Sequence, residues 1–159
     1  MIRLRPAAEE ELPALSALCL RSKAVWGYDD AFMAACREEL TLTPADMLGN
    51  HLQVAEDGAV IVGVVKLDIE GETAELSKLF VEPARIGSGA GRVLFAWAVE
   101  QARSLGAKTM RIEADPDAAA FYRHMGAEVV GTAPSGSIPG RVLPLLTLDL
   151  SGAGSDAAQ

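Results

Sequence analysis

The sharpest chemical signal in the chain is a run of seven residues, Ile86-Gly87-Ser88-Gly89-Ala90-Gly91-Arg92. Three glycines at alternate positions let the backbone approach a ligand with no Cβ in the way. The helix predicted to follow would point unpaired N–H groups and its positive dipole end into the same space. Such a place binds phosphate. A tight turn whose glycines serve close packing has the same pattern, so the motif alone leaves both readings open. No Gly-Lys-Ser/Thr follows, which excludes a P-loop, and Arg92 stands where a dinucleotide fingerprint has its third glycine. Between Lys78 and Arg111 six basic residues (Lys78, Arg85, Arg92, Arg103, Lys108, Arg111) face two acidic ones (Glu82, Glu100), whereas the whole chain has 14 Lys and Arg against 22 Asp and Glu. The turn therefore lies in the one basic stretch of an acidic protein, unless these charges are simply scattered over solvated faces.

Other residues with chemical capacity lie upstream. Strand alternation over the segment before the turn puts Glu75, Ser77, Leu79 and Val81 on one face, so the Glu75 carboxylate either reaches whatever the turn holds or is solvated at the strand edge. Lys66, Asp68 and His51 are weaker candidates and read as exposed strand residues. Trp26 and Tyr28 belong to a loop between two predicted helices, where aromatic rings would cover an apolar or cationic substrate or plug the helix pair. Cys19 and Cys36 form no CxxC pair and have no histidines at ligand spacing, so they read as reduced, buried hydrophobes and no metal is expected.

The elements that must position these groups follow from periodicity and turn residues. With 159 residues, half of them apolar and 23% charged, the chain suits one domain over residues 1–150, followed by a disordered small-residue tail at 151–159. A strand at Ile2 to Arg5 precedes an acidic triplet, Glu9 to Glu11, placed where a helix N-terminus favours negative charge. Leu12, Leu15 and Cys19, then Phe32, Cys36 and Leu40, recur at helical spacing. Three strands separated by Asp57-Gly58 and Glu70-Gly71 read as an antiparallel meander closed by Pro83. Leu94, Trp97, Ala98 and Leu105 mark the inner stripe of a helix ending at Gly106. A strand at Lys108 to Ala114, a short helix near Asp117 to Met125 and two final strands complete the order β-α-α-β-β-β-α-β-α-β-β. That order predicts an α+β fold with a mixed, mainly antiparallel central sheet flanked by helices.

A net charge of −8 without a Lys/Arg cluster disfavours nucleic acid as a partner. The longest apolar runs, such as Ala59 to Val65, are far short of the roughly 20 residues of a membrane span, and the charged start MIRLRPAAEEE lacks the apolar stretch of a signal peptide. A cytoplasmic protein without membrane association is expected.

Four segments carry a family resemblance: Leu79-Phe80-Val81-Glu82-Pro83, Gly87 to Arg92, Asp115-Pro116-Asp117-Ala118-Ala119-Ala120-Phe121-Tyr122, and Met125-Gly126-Ala127. In sequence and order they resemble the consecutive motifs of the GNAT superfamily of acyl-CoA-dependent N-acetyltransferases, over about residues 1–150. The resemblance implies a GNAT-like fold and an acetyl-CoA (coenzyme A) site. The backbone of Leu79, Phe80 and Val81 would bind the pantetheine arm where this strand splays from the next parallel one. The Ile86–Arg92 turn would cradle the pyrophosphate, and Asp115, Ala118 and Phe121 would lie along the cofactor. Two residues depart from the family pattern: Ile86 replaces an Arg or Gln, leaving Arg85 or Arg92 to supply the missing contact, and Asp115 replaces a common Asn.

The same resemblance implies roles in catalysis. Tyr122 would face the CoA sulfur, and a phenol with a pKa of about 10 can protonate a thiolate of similar basicity. Glu75 would accept the amine's proton, directly or through water. Trp26 and Tyr28 would line the acceptor wall. The expected activity is acetyl transfer from acetyl-CoA to a primary amine, small molecule or peptide, by direct attack with no covalent enzyme intermediate. Two alternatives are a non-catalytic acyl-CoA-binding regulatory module and a nucleotide-binding domain. Oligomeric state is not legible in the sequence, and a homodimer is compatible with it.

Overall fold

Alternation of apolar and basic residues at the start of the chain forms β1 (Ile2–Pro6), and the acidic triplet Glu9–Glu11 makes a 3-10 turn leading into α1 (Leu12–Ala24). The computed structural model describes residues 1–151, and in it Pro13 occupies the first turn of α1, where its missing N–H breaks no helical bond. After α1 comes α2 (Asp30–Leu40), whose N-cap Asp29 accepts the Phe32 N–H at 2.8 Å. A 3-10 segment with a kink, Pro44–Asn50, follows and was not signalled by any apolar periodicity. The remaining elements are β2 (Leu52–Asp57), β3 (Val60–Glu70), β4 (Thr73–Val81), a 3-10 turn at Pro83–Arg85, α3 (Ala90–Ser104), β5 (Thr109–Glu113), α4 (Ala119–His124), β6 (Glu128–Pro134) and β7 (Val142–Asp149). Order and type agree with the expectation.

The seven strands hydrogen-bond in the order β1-β2-β3-β4-β5-β7-β6, a mixed and mostly antiparallel sheet in an α+β fold. β1 and β3 both run antiparallel to β2, and β7 runs antiparallel to both β5 and β6. β4 and β5 are parallel, and their ladder has three pairs, Thr73 with Thr109, Ala74 with Met110 and Glu75 with Arg111.

By contact density the chain divides into two compact units. The first comprises Met1–Lys66, Lys78–Phe95 and Gly136–Ile138. Leu12, Leu15, Leu18 and Cys19 form the buried face of α1 and join Leu52, Val54 and Val64 of the sheet in one core cluster, with Phe80 and Ile138 packed against it. Each of these leucines contributes roughly 1.5–3 kcal/mol by leaving water. Ser16 ties the connection after α2 to α1, accepting the Leu42 N–H at 2.8 Å. Gly63 is required by close approach, since a Cβ there would lie 2.8 Å from Leu94 Cδ1 and 3.0 Å from the Phe80 carbonyl.

The second unit comprises Leu67–Ser77, Ala96–Ser135 and the chain from Pro139 on. Its interior holds Met110 and Ile112 of β5, Leu146 of β7, and Ala98 and Ala102 of α3, all essentially inaccessible to water. The Leu150 N–H closes the C-terminal end on the Lys108 carbonyl at 2.8 Å. Ser151, the first residue of the expected tail, binds Asp149 Oδ1 through its N–H at 2.9 Å and its hydroxyl at 2.7 Å, and residues 152–159 lie outside the described residues.

Candidate active site

In the first unit the turn before α3 has the backbone that its glycines foretell. Gly87 and Gly89 have φ of 86° and 93°, and a Cβ built on either meets nothing within 4 Å. A left-handed backbone is strained for residues with a Cβ, and the empty space shows that these glycines do not serve internal packing. The Ser88 N–H closes the turn on the Arg85 carbonyl at 3.1 Å, Val93 N–H bonds the Gly89 carbonyl at 3.1 Å, and Ala90 N–H has a long bond of 3.4 Å to Ser88 Oγ. The N–H groups of Gly87, Gly89, Gly91 and Arg92 bond to nothing among the described residues. Four donors therefore lie around the N-terminus of a 15-residue helix, where the helix dipole favours an anion.

Half of the basic side chains in the 78–111 stretch are taken up by ion pairs. Arg85 is held by Asp57 at 3.0 Å, so it is turned away from the role the resemblance left to Arg85 or Arg92. Lys108 pairs with Glu72, and Arg111 pairs with Glu75 and Glu113. Among the described residues Arg92, Lys78 and Arg103 have no ion pair. Ile86 is 58% exposed, so an arginine at that position would need no repacking.

Leu79, Phe80 and Val81 are half-buried. Phe80 and, by alternation, Lys78 face the helical core, leaving Leu79 and Val81 on the opposite face. In the α1–α2 loop, Tyr28 stacks on Phe32 at 3.9 Å with Lys23 Nζ 5.5 Å from the Tyr28 ring, whereas Trp26 remains 43% exposed. The two aromatics paired by the sequence thus have different settings. Lys66, expected on an exposed strand face, is instead buried, with its ammonium 3.4 Å from Asp46. Asp68 is exposed and accepts the Ser77 hydroxyl.

In the second unit Glu75 is half-buried directly across the parallel ladder from Arg111, whose Nη1 lies 3.1 Å from Glu75 Oε1 and 2.6 Å from Glu113 Oε2. Burial pushes the Glu75 carboxyl up, and this outweighs the opposing pull of Arg111. Asp115 caps the start of the α4 segment by accepting the Asp117 N–H at 3.0 Å, and Arg141 lies 3.7 Å from its other oxygen. The Ala118 N–H then bonds the Asp115 carbonyl at 2.8 Å and the Phe121 N–H bonds the Ala118 carbonyl at 3.0 Å, a tight turn that delivers Tyr122 to the interior. Phe121 and Tyr122 meet edge to face, with centroids 5.2 Å apart. Tyr122 is only 7% exposed, and desolvation pushes its phenol well above the ordinary value, so the hydroxyl keeps its proton at neutral pH.

The model of the acetyltransferase (GNAT) family matches residues 16–127. The chain belongs to the GNAT acetyltransferase family. No curated protein sequence matches it. Among solved structures it is similar to a PaiA N-acetyltransferase from Thermoplasma acidophilum in complex with coenzyme A, at 18% identity and a TM-score of 0.74, covering 94% of this chain and 99% of that one. A GCN5-related N-acetyltransferase from Rhodopseudomonas palustris matches at 22% identity and a TM-score of 0.75, covering 92% and 94% of the two chains. YncA from Salmonella typhimurium, a structure with acetyl-CoA, matches at 23% identity and a TM-score of 0.64, covering 94% of each chain. At these identities the likeness establishes the GNAT fold.

Three charged residues of this GNAT chain escaped the sequence reading as site neighbours: Asp57, Arg111 and Arg141. Each engages a candidate through a partner 26 to 36 positions away, a separation at which residue spacing carries no contact information. No helix is long and apolar enough to cross a membrane among the described residues.

Proposed function

We propose that this GNAT protein transfers an acetyl group from acetyl-CoA to a primary amine by direct attack, with no acyl-enzyme. The observation that carries this reading is the Ile86–Arg92 turn, with four unused N–H donors at a helix N-terminus and two left-handed glycines whose missing Cβ atoms leave open space. Those features fit a diphosphate. Gly87, Gly89, Gly91 and Arg92 would hold it through main-chain N–H groups, and Arg92 rather than Arg85 supplies the side-chain cation.

Acetyl-CoA brings the activated acyl carbonyl and a thiol leaving group. The backbone of Leu79, Phe80 and Val81 is assigned to the pantetheine arm, because the β5 ladder reaches only as far as Glu75. Asp115, Ala118 and Phe121 are assigned to the flank of the cofactor, with the charge of Asp115 offset by Arg141. The Tyr122 hydroxyl, kept protonated by burial, donates a proton or hydrogen bond to the departing sulfur. Glu75, whose proton affinity is raised by burial, takes the proton of the attacking amine, and Trp26 and Tyr28 cover the acceptor.

Thermal unfolding with ligands tests the cofactor assignment. Acetyl-CoA is expected to raise the Tm while NAD and ATP do not, since only a ligand of the folded state shifts the equilibrium. An equal or larger shift with NAD would overturn it. Thiol release across a panel of primary amines then separates an enzyme from a binding module, which would bind acetyl-CoA and release no thiol.

A further inference from the structure

Within the second unit, polar side chains from three neighbouring strands meet on one face of the sheet. Glu75 and Ser77 alternate with the buried Ala74 and Leu76 on β4, so both stand on the open face. Arg111 of β5 lies directly across the ladder from Glu75 and holds it from one side, with Nη1 3.1 Å from Oε1. From β3, on the other side of β4, Asp68 accepts the Ser77 hydroxyl. A carboxylate oxygen only accepts, so the single proton of Ser77 is committed to Asp68 and Oγ has only lone pairs left to offer. Same-face neighbours on a strand stand about 7 Å apart, roughly twice a hydrogen-bond length, so one nitrogen between Glu75 and Ser77 reaches both. Ser77 is also the nearer of the two to the C-terminal end of β4, where Leu79 begins the segment assigned to the acyl-donor arm.

We propose that Ser77, locked as a hydrogen-bond acceptor by Asp68, takes one N–H of the attacking amine and thereby makes the enzyme selective for primary over secondary amines. This inference rests on the acetyl-transfer reading above. The nitrogen lone pair forms the new C–N bond, one N–H proton passes to Glu75, the C–S bond breaks and Tyr122 protonates the leaving sulfur. Ser77 keeps its own proton throughout. A primary amine has a second N–H for Ser77 Oγ, and that bond strengthens as the nitrogen becomes positive. A secondary amine has only the N–H that Glu75 must take, which leaves Oγ unmet. Asp68 acts through Ser77 as a positioning residue. Without it the hydroxyl is free to turn and donate to the nitrogen lone pair that has to attack.

The test uses the full chain with acetyl-CoA and matched acceptors: benzylamine, tyramine, ethanolamine and glycine, each against its N-methyl derivative. In Ser77→Ala the primary amines are expected to lose about tenfold in kcat/KM, the worth of one hydrogen bond to a group gaining charge, while the N-methyl amines change little. Ser77→Thr keeps the hydroxyl and should restore most of the primary-amine rate. Measured on the pH plateau, Asp68→Ala should lower the same selectivity, and in a Ser77→Ala background it should do nothing further. Both residues are exposed, so Tm and the acetyl-CoA Kd should move little. Where wild type acetylates no N-methyl amine, the primary-amine loss in Ser77→Ala and its rescue by threonine decide. Equal losses on both amine classes, or an unchanged rate in Ser77→Ala, would overturn the contact and leave acetyl transfer standing. An acidic limb of kcat/KM that disappears in Asp68→Ala would make Asp68 the base through Ser77, and would overturn the positioning role. Acetyl-CoA binding with no thiol release from any primary amine would overturn acetyl transfer, and this inference with it.

Discussion

Glu75 and Arg111 lie directly opposite each other at the last pair of the parallel ladder, with Arg111 Nη1 3.1 Å from Glu75 Oε1. The same guanidinium is closer still to Glu113, at 2.6 Å, so its charge is divided between two carboxylates. A residue proposed as a base is thereby kept from the full pull of its counter-charge.

Arg111→Met should therefore raise the proton affinity of Glu75 further, because burial and the negative charges of Glu113 and Asp68 then act unopposed. A carboxyl whose folded-state pKa lies above its unfolded one weakens folding as pH rises between the two values, and the loss vanishes once both states are protonated. The Tm deficit of Arg111→Met against wild type is expected at neutral pH and should shrink as pH falls toward about 4. The acidic limb of kcat/KM should move to higher pH, and an unmoved limb would remove Glu75 from the base role.

Gly89→Val tests the cradle. The φ of 93° strains any residue with a Cβ, at about 1–2 kcal/mol, while the open space around the position leaves the fold intact. Circular dichroism should show a folded protein with a modestly lowered Tm, and calorimetric titration should show acetyl-CoA affinity lost. Retained affinity in that folded variant would place the diphosphate elsewhere.

Ile86→Arg restores the residue type that the family pattern has at this position. Ile86 is exposed and Arg85 is held by Asp57, so the new guanidinium has both room and purpose. Acetyl-CoA binding is expected to tighten by about 1 kcal/mol, roughly fivefold in Kd. Weaker binding would show that the side chain at 86 points away from the phosphates.

Tyr122→Phe keeps the ring and its edge-to-face contact with Phe121, and deletes only the hydroxyl. Stability and acetyl-CoA affinity should change little, while the single-turnover rate falls by roughly 10²-fold. Single turnovers are needed because slow product release would mask the loss in kcat. A rate equal to wild type would leave the thiolate to depart with help from water or main-chain donors.

Much of this protein is legible without coordinates. Gly106 marks a helix end, Asp57-Gly58 and Glu70-Gly71 separate strands, and the alternate glycines at 87, 89 and 91 announce the turn, because caps, left-handed backbone and side-chain periodicity are set by near neighbours. Which charged groups meet is another matter. Lys66 reads as an exposed strand residue yet is buried against Asp46, and Arg85, offered together with Arg92 as a compensating contact, pairs with Asp57. Arg141 reaches Asp115 from the loop that follows β6. Local pattern determined the elements and the phosphate-ready backbone, whereas strand order and packing decided the partners of every ionised candidate. Ion pairs between distant residues have no period in the sequence, and their geometry exists only once the sheet has placed both ends.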